Sequence, residues 1–348
     1  MRLLLALTLA AGAAAWRTCY VTAFGARGDN VTEDTAALQA ALSACSPGTT
    51  VLPAPGRYLS RSLNLTGMAD VEVVIEAGAT LVAWPDVDTW NTTSTFSDLL
   101  FVGAFHPAAG SVTAVQASNI TIHGGGTMDG QGWRWWPYLK SRPRPRLISM
   151  EGVSGLTLSN LTLRDSPSWN TNLRGAFMSI THMTVVSNEL SCSGWAQAPN
   201  TDGFNIGGHD IYLGHNTVHN GDDCVPVFAW NGQDSYNILV EDMQCNCGTN
   251  GGVVILGDDT CGGAHASIYN VTFRNMTVNG TNQGAGVKIC EAYMEPHGLI
   301  SNITWENYTI SVSRLWTGGA PVCAPTLTLS LSLATLPPTE PPQHCAVH

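Results

Sequence analysis

Three aspartates have the residue types and spacing for acid–base chemistry. Asp202 closely follows Asn200, and the adjacent Asp222 and Asp223 lie further along the chain between a glycine and Cys224. Only 12% of the residues are charged, so three carboxyl groups between positions 202 and 223 stand out. Hydrolysis of a glycosidic bond needs one carboxylic acid to protonate the leaving oxygen and a carboxylate to activate water. The two acidic strings could supply both groups.

Crowding of the three side chains would also set their protonation. Carboxylates within a few ångströms of one another resist joint ionisation, so we expect them to share one proton at acidic pH. Neighbouring residues of a regular strand face opposite sides, so Asp222 and Asp223 can reach one cleft only if the backbone bends or bulges near Gly221. The alternative interpretation of this pair is a solvated turn or a set of calcium ligands.

A repeated triplet of an apolar, a polar or small, and an apolar residue predicts the scaffold. From Leu156 onward the triplets begin 27, 28, 27, 33 and 32 residues apart. Alternation with a period of two is typical of strands, and repeats of this length indicate stacked structural units. The triplets begin at Ile120, Leu156, Met183, Ile211, Ile238, Val271 and Ile303.

Stacked coils of short strands predict an all-β protein, a right-handed parallel β-helix in which each strand has parallel neighbours above and below. The competing fold is a β-propeller, whose blades are longer, at about 40–45 residues. Residues 34–44 are rich in helix formers and predict a short helix that caps the N-terminal end of the stack. We expect the β-helix domain to span residues 16–317. Residues 318–348 do not continue the repeat, and we expect them to be poorly ordered or an atypical terminus.

The N-terminus and the composition restrict location and partners. Residues 1–15 combine a positive start, an apolar run and terminal alanines, which predicts a secretory signal peptide and a secreted, extracellular or cell-wall protein. No other segment is long and apolar enough to span a membrane. The formal net charge of −11 argues against nucleic acid and anionic membrane surfaces as partners, but not against an acidic polysaccharide. We expect a monomer that has no cofactor. We also expect no metal site, because no cysteine and histidine pattern has zinc spacing.

Cysteine and asparagine patterns fit a secretory route. The chain has ten cysteines, an even number that predicts disulfides. Asn-x-Thr also occurs ten times. Some of these asparagines could carry glycans, whereas those inside the repeated strand pattern could be structural residues that match the sequon by coincidence.

Several strings together resemble the polygalacturonase family of pectin-degrading glycoside hydrolases. The resemblance covers roughly residues 20–313, and the two aspartate strings in this order are its most specific part. The shared strings include Phe24-Gly25-Ala26-Arg27-Gly28-Asp29, Gly124-Gly125-Gly126-Thr127-Met128-Asp129-Gly130, Arg144-Pro145-Arg146-Leu147-Ile148, Ser166-Pro167-Ser168-Trp169, Asn200-Thr201-Asp202-Gly203 and Gly221-Asp222-Asp223-Cys224.

This resemblance implies a parallel β-helix, a pectic polysaccharide as substrate and roles for individual residues. Asp222 would be the general acid. Asp202 and Asp223 would hold and deprotonate the attacking water, with inversion at the anomeric carbon. Lys288 and Asn200 would bind the substrate.

Two motifs of that family are altered in this chain. Its usual Gly-His-Gly segment corresponds to residues 247–257. Alignment on the closing glycine puts Gly252 at the position of the histidine, so the resemblance implies that Gly252 is one of the substrate-binding residues. Its Arg-Ile-Lys segment appears as Lys288-Ile289-Cys290, with one cation lost. Loss of the histidine is similar to what is seen in rhamnogalacturonan-cleaving relatives. Rhamnogalacturonan is therefore the alternative substrate to galacturonate-containing pectin.

The resemblance further implies a disulfide between Cys224 and Cys247 under the cleft. Cys19 with Cys45 would form an N-terminal clip, and Cys261 with Cys290 is a further pair, although spacing alone establishes none of them.

Two other groups of side chains are candidates for substrate contacts. A basic run beside Trp133, Trp135 and Trp136 could bind a sugar-acid polymer, or could pack on the β-helix with its arginines facing water. The run comprises Arg134, Lys140, Arg142, Arg144 and Arg146. Three histidines near the acidic strings, His209, His215 and His219, could replace the missing histidine, although a structural or surface role is the more common one.

Two other function classes stay open from the sequence. A polysaccharide lyase could share the fold, but it would use a calcium cluster and an arginine base, and no clear arginine motif of that type is present. An inactive pectin-binding homologue would explain the altered motifs and the abrupt tail.

Overall fold

The computed structural model describes residues 16–90, 98–103, 115–138, 144–187, 198–229, 232–256, 266–280, 283–289, 299–311 and 327–335. Strands dominate these residues. The first part of the chain contains β1 (Arg17–Tyr20), β2 (Asp29–Glu33), β3 (Gly48–Leu52), β4 (Gly56–Ser60), β5 (Leu63–Asn64), β6 (Ala69–Ile75), β7 (Ala79–Ala83), β8 (Leu100–Val102), β9 (Ala117–His123) and β10 (Thr127–Asp129).

The second part contains the strands that carry the acidic strings. They are β11 (Ile148–Ser159), β12 (Thr162–Arg164), β13 (Thr171–Thr181), β14 (Thr184–Val186), β15 (Phe204–Gly214), β16 (Thr217–His219), β17 (Val225–Ala229), β18 (Ser235–Asn246), β19 (Asn250–Leu256), β20 (Ile268–Asn279), β21 (Gln283–Ile289), β22 (Ile300–Ser311) and β23 (Leu327–Thr335). One α-helix, α1 (Thr35–Ala44), and three 3₁₀ turns, Val21–Phe24, Gly132–Arg134 and Trp136–Tyr138, complete the described elements.

The strands stack in parallel, coil upon coil, as a right-handed parallel β-helix. The long strands follow the order β11, β13, β15, β18, β20 and β22, each paired in parallel with the next. Their registers align one column of apolar residues, all buried, at Leu156, Met178, Ile211, Ile238, Val271 and Ile303. The column faces the axis of the stack, so the fold predicted from the triplets is confirmed and the propeller is not.

One member of the predicted repeat belongs to another column. Leu156 pairs with Met178, whereas Met183 immediately precedes β14, the strand that pairs with β12 and β16. The prediction was wrong here because the coil has two strand segments of similar pattern. Spacing in the sequence alone does not tell which segment lies above which.

Asparagines form hydrogen-bonded ladders at the corners of the coil. Asn237, Asn270 and Asn302 have left-handed backbone conformations, with φ between 51° and 54°. Asn270 donates through Nδ2 to Asn237 Oδ1 at 2.7 Å, and Asn302 donates to Asn270 Oδ1 at 3.2 Å. Asparagine tolerates this conformation better than other side chains that carry a Cβ. The sequons at Asn270 and Asn302 therefore coincide with a structural ladder.

The N-terminal end of the stack is capped by α1. Leu38, Ala41 and Leu42 form its buried face and pack into the core, as predicted. The predicted pair of Cys19 and Cys45 forms a disulfide that ties β1 to the end of this helix. The predicted signal peptide, residues 1–15, lies outside the described residues.

The described part of residues 318–348 is β23. It pairs with β22 in the antiparallel sense, with Ile303 opposite Leu333. Among the described residues no helix combines the length and apolarity needed to cross a membrane.

Candidate active site

The functional side chains come from turns, from the start of one strand and from near the end of another, on neighbouring coils. Asp202 lies just before β15, and Asp222 and Asp223 lie in the turn before β17. Asn250 begins β19, and Lys288 is on β21. Because β17, β19 and β21 pair in parallel, these groups lie near one another on adjacent coils.

Hydrogen bonds fix the turn that carries the two adjacent aspartates. The buried Asn220 donates from Nδ2 to the carbonyl oxygens of Thr201 and Asp223, at 2.9 and 3.0 Å. Gly221 N donates to Thr201 Oγ1 at 2.9 Å. The predicted bend or bulge is therefore a turn outside the strand, where strand alternation does not apply. Asp222 and Asp223 can point into the same site.

Thr249 joins the two adjacent carboxyl groups. Its Oγ1 lies 2.9 Å from Asp222 Oδ1 and 2.5 Å from Asp223 Oδ1. Asp222 Oδ1 also accepts from the Asp223 backbone N–H at 3.0 Å, and Asp222 Oδ2 accepts from Asn200 Nδ2 at 3.3 Å. The hydroxyl thus connects the carboxyl group predicted to be the acid with one predicted to be a base.

Asp223 has the stronger set of donors. Asn250 Nδ2 lies 2.5 Å from its Oδ1, and Lys288 Nζ lies 2.5 Å from its Oδ2. A carboxylate that accepts bonds from a cation and an amide is stabilised in its charged form. Asp223 is therefore the member of the pair that accepts from a cation.

Asp202 and Asp222 lie in environments that favour the protonated carboxyl group. Burial raises the pKa of Asp202 well above its ordinary value, and the charges of Asp222 and Asp223 raise it further. Burial also raises the pKa of Asp222, with the charge of Asp223 as the second cause. Asp202 Oδ1 is buried and has no hydrogen-bond partner among the described residues. Both shifts have the direction expected for carboxyl groups that crowd one another in a buried site.

Lys288 brings positive charge to this cluster while half of its side chain stays exposed. Burial of the ammonium lowers its pKa, but the charge and the hydrogen bond of Asp223 outweigh this and raise it. Lys288 therefore stays charged and accessible from solvent.

The structure corrects the position assigned to Gly252. A Cβ built there would lie 2.7 Å from the Phe273 ring and 2.8 Å from Tyr308 Oη, both in the core. Position 252 thus faces away from the aspartates, which are contacted by Thr249 and Asn250. Alignment on the closing glycine missed this pair. They were recognisable as the adjacent threonine and asparagine within the glycine-rich segment 247–257.

The predicted disulfide under the site also needs correction. Cys224 pairs with Cys245, not with Cys247. The side chains of Cys224 and Cys245 are both completely buried on the core side of their coils. Cys247 is disulfide-bonded as well, and its backbone is left-handed, with φ of 69°, after the last residue of β18. The pair of Cys261 and Cys290 lies outside the described residues.

The histidines near the acidic strings make their described contacts elsewhere. His209 lies 2.8 Å from Asp210 Oδ2 and stacks on Tyr236. His215 stacks on His182, and His219 Nδ1 lies 3.7 Å from Cys247 Sγ. None of these contacts involves the three aspartates.

The described part of the basic run binds protein groups. Arg146 is buried and lies 3.1 Å from Asp98 Oδ1, and Arg134 lies over the Trp133 ring at 4.2 Å. Arg144 donates to two backbone carbonyls and to Asn200 Oδ1. Lys140 and Arg142 lie outside the described residues. Of the described arginines in the run, Arg144 is the one in contact with a predicted site residue.

Within the described residues, no group of three His, Cys, Asp or Glu side chains has the arrangement of a metal site. The groups of the site are instead an acid, carboxylates, a cation and amides. Such a set can donate a proton, accept a proton from water and hold an anionic sugar.

Comparison with known proteins identifies the group to which this arrangement belongs. A family model described as "Glycosyl hydrolases family 28" matches residues 54–314. A probable polygalacturonase of Arabidopsis thaliana is 26% identical over 303 residues, covering 84% of this chain and 62% of the relative. An exopolygalacturonase of Cochliobolus carbonum is 28% identical over 283 residues, covering 78% and 58%. The chain thus spans about three-fifths of the length of these curated relatives.

Solved structures agree on the fold. The crystal structure of an endo-xylogalacturonan hydrolase from Aspergillus tubingensis superposes with a TM-score of 0.63, covering 86% of each chain at 21% identity. At 21% identity this similarity shows a shared fold.

Proposed function

The chain belongs to glycosyl hydrolase family 28, and from this premise we propose that it hydrolyses galacturonate-containing glycosidic bonds of pectic polysaccharides. The observation that carries the proposal is the difference in environment between two carboxyl groups that share the Thr249 hydroxyl. Asp222 has a raised pKa, whereas Asp223 is held by a lysine, an amide and a hydroxyl. Hydrolysis of a glycosidic bond needs one carboxyl group that carries a proton and one that is ionised.

In this proposal each group has one role. Asp222 carries the proton and gives it to the leaving oxygen. Asp223, which is paired with Lys288, and Asp202 hold the attacking water, and Asp223 takes its proton. The reaction proceeds with inversion at the anomeric carbon.

Substrate binding would use the accessible charge of the site. Lys288 is half-exposed beside the acid–base pair, so its ammonium group can approach a uronate carboxylate without leaving Asp223. The amide of Asn200 lies on the other side of Asp222 and could reach a sugar hydroxyl. The chain would act as a secreted protein on cell-wall pectin.

Rhamnogalacturonan is the second candidate substrate. It is favoured by the histidine missing from the glycine-rich segment 247–257, in which the short neutral side chain of Thr249 contacts the two adjacent aspartates. A smaller side chain leaves room for a differently substituted sugar beside the acid.

Purified protein incubated with polygalacturonate, rhamnogalacturonan and xylogalacturonan tests the proposal. We expect new reducing ends from at least one polymer, products without ultraviolet-absorbing unsaturation, and the inverted anomer as first product by NMR. Asp222→Asn should abolish the release. Unsaturated products would show a lyase, and no release from any polymer would show a binding protein.

Asp242→Asn is the matched control. Asp242 occupies a left-handed corner position, and its Oδ1 accepts from Asn275 at 3.1 Å. The next positions of the same ladder are asparagines, at Asn275 and Asn307. The same chemical change at this position should therefore leave both folding and activity intact.

A further inference from the structure

We propose that Arg144 is a positioning residue for Asp222 and that it acts through the side chain of Asn200. The inference rests on the proposed hydrolase function. It concerns a residue that never touches the reacting atoms. It is independent of which pectic polymer is cleaved.

Arg144 gathers three groups from two turns beside the site. Its Nη1 donates to the carbonyl oxygens of Pro199, at 2.6 Å, and Pro167, at 3.0 Å. Its Nη2 donates to Asn200 Oδ1 at 2.6 Å. The guanidinium is planar and its donors point in fixed directions, so these bonds orient the Asn200 amide as well as hold it.

The orientation matters because an amide has two different ends. Arginine offers only donors, so the amide oxygen of Asn200 must face Arg144. The amide N–H₂ then faces Asp222, and Nδ2 lies 3.3 Å from Oδ2. The backbone of Asn200 is left-handed, with φ of 55°, which places the side chain between the two partners.

Loss of Arg144 would remove the reason for this orientation. A flipped amide would present its oxygen to Asp222. A protonated Asp222 could then donate its proton to that oxygen instead of to the glycosidic oxygen. The bond with Arg144 therefore keeps the acidic proton available to the substrate.

The positive charge of Arg144 also helps Asp222 to release its proton. The groups that face Asp222 are Asp202 and Asp223, which are acidic, and Lys288 and Arg144, which are basic. Burial lowers the pKa of Arg144, while the charges of Asp202 and Asp222 oppose this. Removing the Arg144 cation leaves Lys288 as the remaining cation of this set. The pKa of Asp222 should then rise.

The competing explanation is that Arg144 only ties the turns at Pro167 and Pro199 together. A double-mutant cycle of Arg144→Gln, Asn200→Ala and the double variant distinguishes this structural role from the proposed positioning role. We expect each single variant to lower kcat by about tenfold to a hundredfold, the scale of a misplaced catalytic group. Arg144→Gln should leave KM almost unchanged, because the proposal gives Arg144 no contact with the substrate. The kcat of the double variant should be no lower than that of either single variant. In Arg144→Gln the alkaline limb of the kcat profile should move to higher pH.

A purely structural role predicts other results. The losses would multiply in the double variant, the pH limb would stay in place, and the loss of kcat would follow the fall in Tm. Any of these would overturn the proposal. Arg274→Gln is the matched control, since Arg274 pairs with Glu241 at 2.6 Å on the outer surface.

Two additions keep the test decisive. If Arg144→Gln does not fold, Arg144→Lys keeps the charge but loses the fork, and should still lower kcat if amide orientation is the reason. If the wild-type protein cleaves no polymer, the proposed function fails. The ¹³C titration of the Asp222 carboxyl group still shows whether Arg144→Gln raises its pKa, and an unchanged pKa refutes the inference.

Discussion

Replacing Thr249 by valine removes the hydroxyl that joins the acid to the base. A hydroxyl has one proton, so Thr249 can donate to Asp222 or to Asp223, but not to both. The bond to Asp223 is the shorter, 2.5 Å against 2.9 Å, and Asp223 is the member that is paired with Lys288. Thr249 therefore donates to Asp223. Its oxygen can accept a bond from Asp222 when that residue is protonated.

The magnitude follows from the bond that is lost. A hydrogen bond to a charged group contributes about 1.5–3 kcal/mol. If that loss is felt in the transition state, kcat/KM falls by about ten- to a hundredfold. The Asp223 carboxylate also loses one donor, while its bonds from Asn250 and Lys288 remain.

The assay is kcat/KM on whichever pectic polymer the wild-type protein cleaves. Thr249→Ser is the control, because it keeps the hydroxyl and loses only the methyl group. We expect serine to restore the rate. The reasoning is refuted if valine leaves kcat/KM within twofold of wild type, or if serine is as damaging as valine.

Three further predictions concern stability. Burial raises the pKa of Asp202 above its ordinary value of 3.8. At pH values just above 3.8 the folded state therefore binds more protons than the unfolded state, and the free energy of unfolding falls as the pH rises further. Asp202→Asn should raise Tm at pH 7 but not at pH 3; equal gains at both pH values would contradict this. Cys245→Ser opens the bond to Cys224 and should cost about 2–5 kcal/mol in denaturant unfolding; an unchanged midpoint would show that the disulfide is dispensable. Asn270→Ala loses the ladder bond and strains a left-handed residue by about 1–2 kcal/mol, so it should lower Tm more than Asn270→Gly, and the reverse order would exclude the strain.

The sequence predicted the scaffold well because its signal is distributed over many coils. Any one triplet is ambiguous, but the column from Leu156 to Ile303 repeats the same alternation. The assignment of Met183 failed because the register between coils depends on loop lengths. Loop length changes from coil to coil without changing the local pattern.

The site was only partly predictable from the sequence. Asp202, Asp222 and Asp223 are recognisable by residue type and order, and the structure brings them together. Thr249 and Asn250 were missed, and Cys247 was chosen in place of Cys245. In each case the choice depends on which side of the coil a residue faces. A glycine-rich segment next to a turn does not reveal this.

The antiparallel strand β23 has a consequence for self-association. A stack of parallel coils ends in a row of unpaired backbone groups, which could template a coil from another molecule and start a fibre. At the C-terminal end, β22 is already paired with β23 in the opposite sense. Among the described residues, β23 therefore covers the edge of β22, and a coil from a second molecule could not pair with β22 directly.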